Sequence, residues 1–184
     1  MNKINYFRIL GLTVLYVVTV FATAFLGYLS PYAWVFFPVI AALVGAFSYY
    51  LIAVKWQKFG VGTLLALLLS VVLLATGECD LQNALLILLA GVLSDVVRQM
   101  VGCTKKKGIY LAYPVLSIGV ISWILPLWTR TEWYYHGATE ELGIDYAKGL
   151  MTFASHWGLL LVILATAIAG FVSIQYAAKI IKSE

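Results

Sequence analysis

An all-α bundle of six membrane-crossing helices, both chain ends cytoplasmic, is the fold class the sequence predicts. Three features carry that expectation. The chain is 63% hydrophobic and only 11% charged over 184 residues, which leaves few ionic groups to solvate a soluble surface. Its apolar residues fall into six runs near the roughly 20 residues that a helix needs to cross the hydrocarbon core. Ten of its twelve basic residues lie in four short stretches between or beside those runs. The whole chain, 1–184, reads as one transmembrane domain.

The runs are about 7–29, 32–54, 59–77, 81–103, 109–128 and 156–178. Lys3 and Arg8 precede the first. That run continues past Ala22-Thr23-Ala24 to about Leu29, which suits a spanning helix better than a cleaved leader. The second carries Ala41-xxx-Gly45 and Ala42-xxx-Ala46, small residues that let helices approach closely in lipid. Lys55 and Lys58 separate it from the third. The fourth begins after a tight turn at Cys79-Asp80 and contains Asp95 and Arg98. Three residues apart, these share a helix face and are expected to pair, as a structural or partner-facing ion pair. Lys105, Lys106 and Lys107 follow, then the fifth run. The sixth bears a small residue every fourth position at Ala165, Ala169, Ser173 and Ala177, and ends at Lys179 and Lys182.

With the N-terminus inside, all four basic stretches face the cytoplasm, as the positive-inside rule requires. The outer side receives only Arg130 and Lys148 among the bases, and six of the eight acids. The net charge of +4 then reflects loops lying on an anionic leaflet, not nucleic-acid binding. Cys79 and Cys103 fall at opposite ends of the bundle, too far apart for a disulfide.

The connection 129–155 is the exception among short turns. It is expected to cap the outer face, with Thr139 to Phe153 forming one amphipathic helix that presents Leu142, Tyr146, Leu150 and Phe153. Its aromatic content is high, and Trp128 to His136 interleaves four aromatics with charged residues and a histidine. Flat apolar faces with a few polar groups suit a small organic ligand, whereas an interfacial aromatic belt accounts for the same composition. Tyr28, Tyr32 and Trp34 fit the belt better. No HExxH, GxSxG or P-loop occurs, and His136, His156, Glu132 and Asp80 have no diagnostic metal-ligand spacing.

Gly91-xxx-Asp95, the basic loop, Tyr113-Pro114-Val115-Leu116-Ser117, Leu125-Pro126-Leu127-Trp128, a Glu-Trp-Tyr element and Asp145-Tyr146-Ala147 together form a pattern. It resembles the Trep_Strep or MptD-like group of substrate-binding subunits (S components) of energy-coupling factor transporters. The resemblance spans essentially the whole chain and is clearest from Gly91 to Ala147. It implies a subunit of the bacterial cytoplasmic membrane that binds a scarce nutrient outside and releases it inward. Its partners would be a transmembrane coupling subunit and two cytoplasmic ATPases, which would hold the ATP and Mg; this chain would carry no cofactor. In that picture Trp128, Glu132, Trp133, Tyr134, Tyr135 and His136 line or close the pocket. Asp80, Gln82, Asn83 and Trp157 are contacts from neighbouring loops. Thr23, Gly27, Asp95, Arg98, Ala165, Ala169 and Ser173 dock partners or hold the bundle. The first helix offers only Thr23-xxx-Gly27 where S components often show an Ala-xxx-Ala docking stripe, and the chain's end lacks their basic-aromatic finish. The aromatics favour a planar, partly apolar micronutrient such as a vitamin, a tetrapyrrole or a metal chelate, with His136, His156 and Met151 as conceivable metal ligands. An outer-facing membrane enzyme using Asp80, Glu132, His136 and His156, or a ligand-free accessory subunit, are the other classes the sequence leaves open.

Overall fold

The computed structural model describes residues 6–181. Lys3 and Lys182, which entered the charge count at the two ends, lie outside them. The described residues form helices joined by short turns, with no strand among them. The helices are α1 (Tyr6–Ala24), α2 (Pro31–Lys55), α3 (Val61–Thr76), α4 (Leu81–Val101), α5 (Lys106–Gly119), α6 (Pro126–Thr129), α7 (Thr131–Leu142), α8 (Ile144–Met151) and α9 (His156–Ile180). Four have the length and apolarity to cross a membrane: α1 with its following 3-10 turn to Leu29, α2, α4 and α9. At 16 residues, α3 is apolar but about 24 Å long.

Local chemistry sets the element ends. Ser30 caps α2, whose first position is Pro31; Asp80 caps α4; and Ser155 caps α9. The fifth apolar run is not one helix, as the sequence suggested. It divides into α5, a 3-10 turn at Val120–Trp123, and α6, because Pro126 has no N–H with which to extend the ladder and instead opens a new helix. The expected single helix over 139–153 is also interrupted. Gly143 adopts φ 90°, a conformation that L side chains rarely take, and the chain turns there from α7 into α8. The connection 129–155 is thus mostly helical. Of the proposed face, Leu150 is buried and Tyr146 and Phe153 half-buried, but Leu142 is exposed.

Within the bundle α4 lies between α3 and α5, α9 packs on α2 and α5, and α1 packs on α2 and α3. Hydroxyls tie the helices together: Ser70 Oγ donates to Ala84 O across α3 and α4, and Ser94 Oγ to Ala112 O across α4 and α5. The Ala42 carbonyl of α2 accepts from both Tyr113 Oη at 2.7 Å and Ser173 Oγ at 2.9 Å. The small-residue stripe of α9 faces inward, with Ala169, Ser173 and Ala177 buried. Thr23 and Gly27 are buried as well. These positions hold the bundle together and present little to a partner.

Asp95 and Arg98, both 0% exposed, do not pair with each other. Each serves a different helix end. The Asp95 carboxylate accepts from Gly62 N, Thr63 N and Thr63 Oγ1 at 2.7–2.9 Å, capping the N-terminus of α3. The Arg98 guanidinium donates to Ala53 O, Trp56 O, Lys58 O and Cys103 O, closing the C-terminus of α2 and the turn after it. Each charge meets the helix-dipole end of opposite sign. Gly62 and Gly91 make the approach possible, since a Cβ on either would come within 2.6 Å of the other's carbonyl oxygen. Sharing a face predicted proximity; the stronger attraction of orphaned helix-terminal groups redirected both side chains.

Arg98→Met and Asp95→Asn are each expected to lower unfolding stability by about 2–4 kcal/mol, measured by reversible unfolding in mixed micelles. Losses below about 1 kcal/mol would show the clamp to be incidental.

Candidate functional site

At the end of the bundle where α3 stops and α4 starts, α7 and α8 roof a cavity of about 760 Å³. Its floor and walls include Gly27, Trp34, Gly77 to Asp80, Asn83 and Trp123, and its roof includes Arg130, Trp133, Tyr134, Glu141, Tyr146 and Leu150. The volume lies in the range of small-molecule sites, and the lining mixes aromatic faces with a few polar groups.

Three contacts latch the roof to the bundle and a fourth ties its two ends together. Trp34 Nε1 donates to Tyr134 Oη, and Tyr146 Oη donates to Gly27 O at 2.6 Å. Trp128 Nε1 donates to Phe153 O at 2.7 Å, drawing the start of the roof to its end. Arg130 bonds Asp80 and also lies over the Trp133 ring, 5.0 Å from its centroid. Behind them a separate apolar cluster of Val35, Ile121, Leu127, Leu150 and Val162 seats the roof on α2 and α9. No residue of α7 is buried, so this helix is held by its latches and neighbours and not by a core of its own.

The latch electrostatics follow from placement. Asp80 accepts from Asn83 N at 2.9 Å with one carboxylate oxygen and from Arg130 with the other. The Asn83 amide first, and then the guanidinium, hold its carboxyl below the ordinary value. Burial pushes the Tyr134 phenol well above its ordinary value; the Trp34 indole opposes this, while Tyr146, Glu141 and Glu78 add to it. Burial, with Tyr28 nearby, pushes Tyr146 up to about 12. Both phenols therefore stay protonated as hydrogen-bond groups at neutral pH.

Of the ten residues the sequence suggested for binding, Asp80, Asn83, Trp133 and Tyr134 meet at this cavity. Trp128 stands behind it as a latch. Glu132, His136, Gln82 and Trp157 are exposed and off the cavity, and half-buried Tyr135 packs beside the His136 ring. Among the described residues no group of three or more His, Cys, Asp or Glu side chains is placed to hold a metal ion. Cavity residues not assigned from sequence include Trp34 and Tyr28, read there as an interfacial belt, together with Glu78, Trp123, Glu141 and Tyr146. The outer acids and the face of α8 signalled three of these; nothing distinguished Trp123.

Comparison with known proteins gives one match. The model of a family described as "hypothetical bacterial integral membrane protein (Trep_Strep)" covers residues 7–183. No curated protein and no solved structure matches the chain.

Because the folded carboxyl of Asp80 is held low, its contribution to closing the roof is complete above the ordinary carboxylate value. It is lost as pH falls below about 4 through the depressed value. Trp fluorescence of the purified protein should change over that acid range, and Asp80→Asn should remove that part of the transition.

Proposed function

We propose that this chain, which belongs to the Trep_Strep family, is the substrate-binding membrane subunit of an energy-coupling factor importer. It captures a micronutrient at the outer face and delivers it inward when docked on a transmembrane coupling subunit with two cytoplasmic ATPases. The observation that carries this reading is the roofed cavity. An aromatic-lined chamber at one end of a bacterial multi-pass membrane protein is closed by a two-helix cover held through a few hydrogen bonds and one exposed ion pair. Exposed pairs of this kind contribute little each, so the cover is held by contacts that a ligand can replace.

The same reading sets the topology. Six crossings are made by α1, α2, α3, α4, the α5–α6 segment and α9. Lys55, Lys58 and Lys105–Lys107 lie inside, and the roof with Glu78, Glu141 and Asp145 lies outside. The buried clamp of Asp95 and Arg98 then secures the cytoplasmic turn between α2 and α3, opposite the cavity. Energy for release comes from the partner ATPases, with their ATP and Mg. This chain supplies recognition and a hydrophobic perimeter on α1 and α9, where Leu10, Val14, Val18, Leu164, Ile168 and Val172 are exposed.

Purification from the native host in mild detergent should recover a multi-helix coupling subunit and two ATPases, together with a bound small molecule. Trp34→Phe, which removes the bond to Tyr134, should lower retention of that molecule by roughly tenfold. Recovery with an unrelated complex would overturn the importer reading. In intact cells Cys79 should react with a membrane-impermeant maleimide and Cys103 only after permeabilisation. The labelling needs mildly alkaline buffer, since burial and then the nearby Asp80 and Glu78 hold the Cys79 thiol up. The reverse order would invert the topology.

A further inference from the structure

We propose that the roofed cavity selects a cation: a molecule with a planar aromatic body that carries an ammonium or quaternary nitrogen. This narrows the importer reading and rests on the cavity being its binding site. The lining holds three carboxylates, Glu78, Asp80 and Glu141, against one guanidinium, Arg130. Arg130 is already committed to Asp80 and to the face of Trp133. Glu78 and Glu141 are left to set the charge of the chamber, which is negative in a chain whose net charge is +4. Both carboxylates add to the upward push on the half-buried Tyr134 phenol, which lines the same cavity.

The remaining lining has the complementary features. Trp34 and Tyr134 supply aromatic surface that attracts a cation by its quadrupole and stacks a planar ring. Asn83, 4% exposed, lines the cavity, and its side-chain amide bonds no other described residue; its recorded bond to Asp80 runs through the backbone N–H. This amide opens onto the cavity and offers a donor and an acceptor to a ligand edge. A carboxylate ligand, by contrast, would meet Glu78 and Glu141 with no uncommitted cation in the lining to offset them.

The purified full chain in nanodiscs, titrated with three probes of one ring size and followed by tryptophan quenching, tests this. The probes are 1-methylquinolinium, neutral quinoline and quinoline-3-carboxylate. The expected order places the cation roughly tenfold tighter than quinoline, with the anion weakest. Replacing both acids, Glu78→Gln with Glu141→Gln, should erase the cation's advantage over quinoline; both side chains are exposed, so folding is not at stake. An equal or reversed order, or an advantage that survives the double substitution, overturns the charge inference while leaving the binding cavity intact. No saturable quenching by any of the three overturns the binding cavity itself, and the charge inference with it.

Discussion

Two buried charges on one turn of α4 determine how this bundle is strung. Asp95 accepts from the first amides of α3 and Arg98 donates to the last carbonyls of α2, so a single helix holds both sides of the intervening turn. In a low-dielectric interior an unmet helix end and an unmet charge are each costly, and here each meets the other, with only Arg98 Nε left without a partner among the described residues. The bonds fix where α2 stops and α3 starts, hence where their far ends emerge. Those far ends carry Trp34 on one helix and Gly77 to Asp80 on the other side of the cavity. A polar constraint at one end of the molecule thereby positions the walls of a chamber at the opposite end.

The chamber and the bundle are built by different means. The bundle has a continuous apolar core from α1 to α9, tightened by hydroxyl-to-carbonyl bonds between helices. The roof rests on a small separate cluster, and its outer helix buries no residue. Its closure depends on a few polar contacts at the cavity edge, of which the ion pair is exposed to solvent. A rigid base under a lightly held cover is the arrangement that the proposed capture and release would use.

Much of this was legible in the sequence, for reasons that can be assigned. Apolar runs separated by basic stretches gave the helical membrane class, and caps such as Ser30, Asp80 and Ser155 coincide with helix starts. The 129–155 connection reads as ordered because its aromatics contradict disorder, and it folds into α7 and α8. The same aromatic density singles out Trp133 and Tyr134, which line the cavity, but leaves Trp34 in an interfacial belt, because composition cannot separate an aromatic facing a headgroup from one facing a cavity. The break at Gly143 was missed because amphipathic spacing continues across it, and only the left-handed backbone ends the helix. The separation of Asp95 from Arg98 was missed because spacing along one helix reveals shared faces but not the helix ends brought near them in space. The buried side of α9 shows the opposite case: its small-residue stripe reads correctly from period alone, since close packing demands small side chains wherever it occurs.

The brevity of α3 has a further consequence for a protein immersed in lipid. A helix about 24 Å long falls short of the roughly 30 Å of hydrocarbon in a typical bilayer, whereas α2 and α9, at 25 residues each, exceed it. Such a mismatch is relieved where the short helix ends, by local thinning of the membrane or by water following the chain inward. In the six-crossing topology proposed above, the basic turn before α3 is anchored at the opposite headgroups, and the relief would fall at Gly77 to Asp80, which also line the cavity. On that topology the chamber would sit in a dimple of the membrane surface, and the thickness of the surrounding bilayer would become a variable of the cavity's geometry.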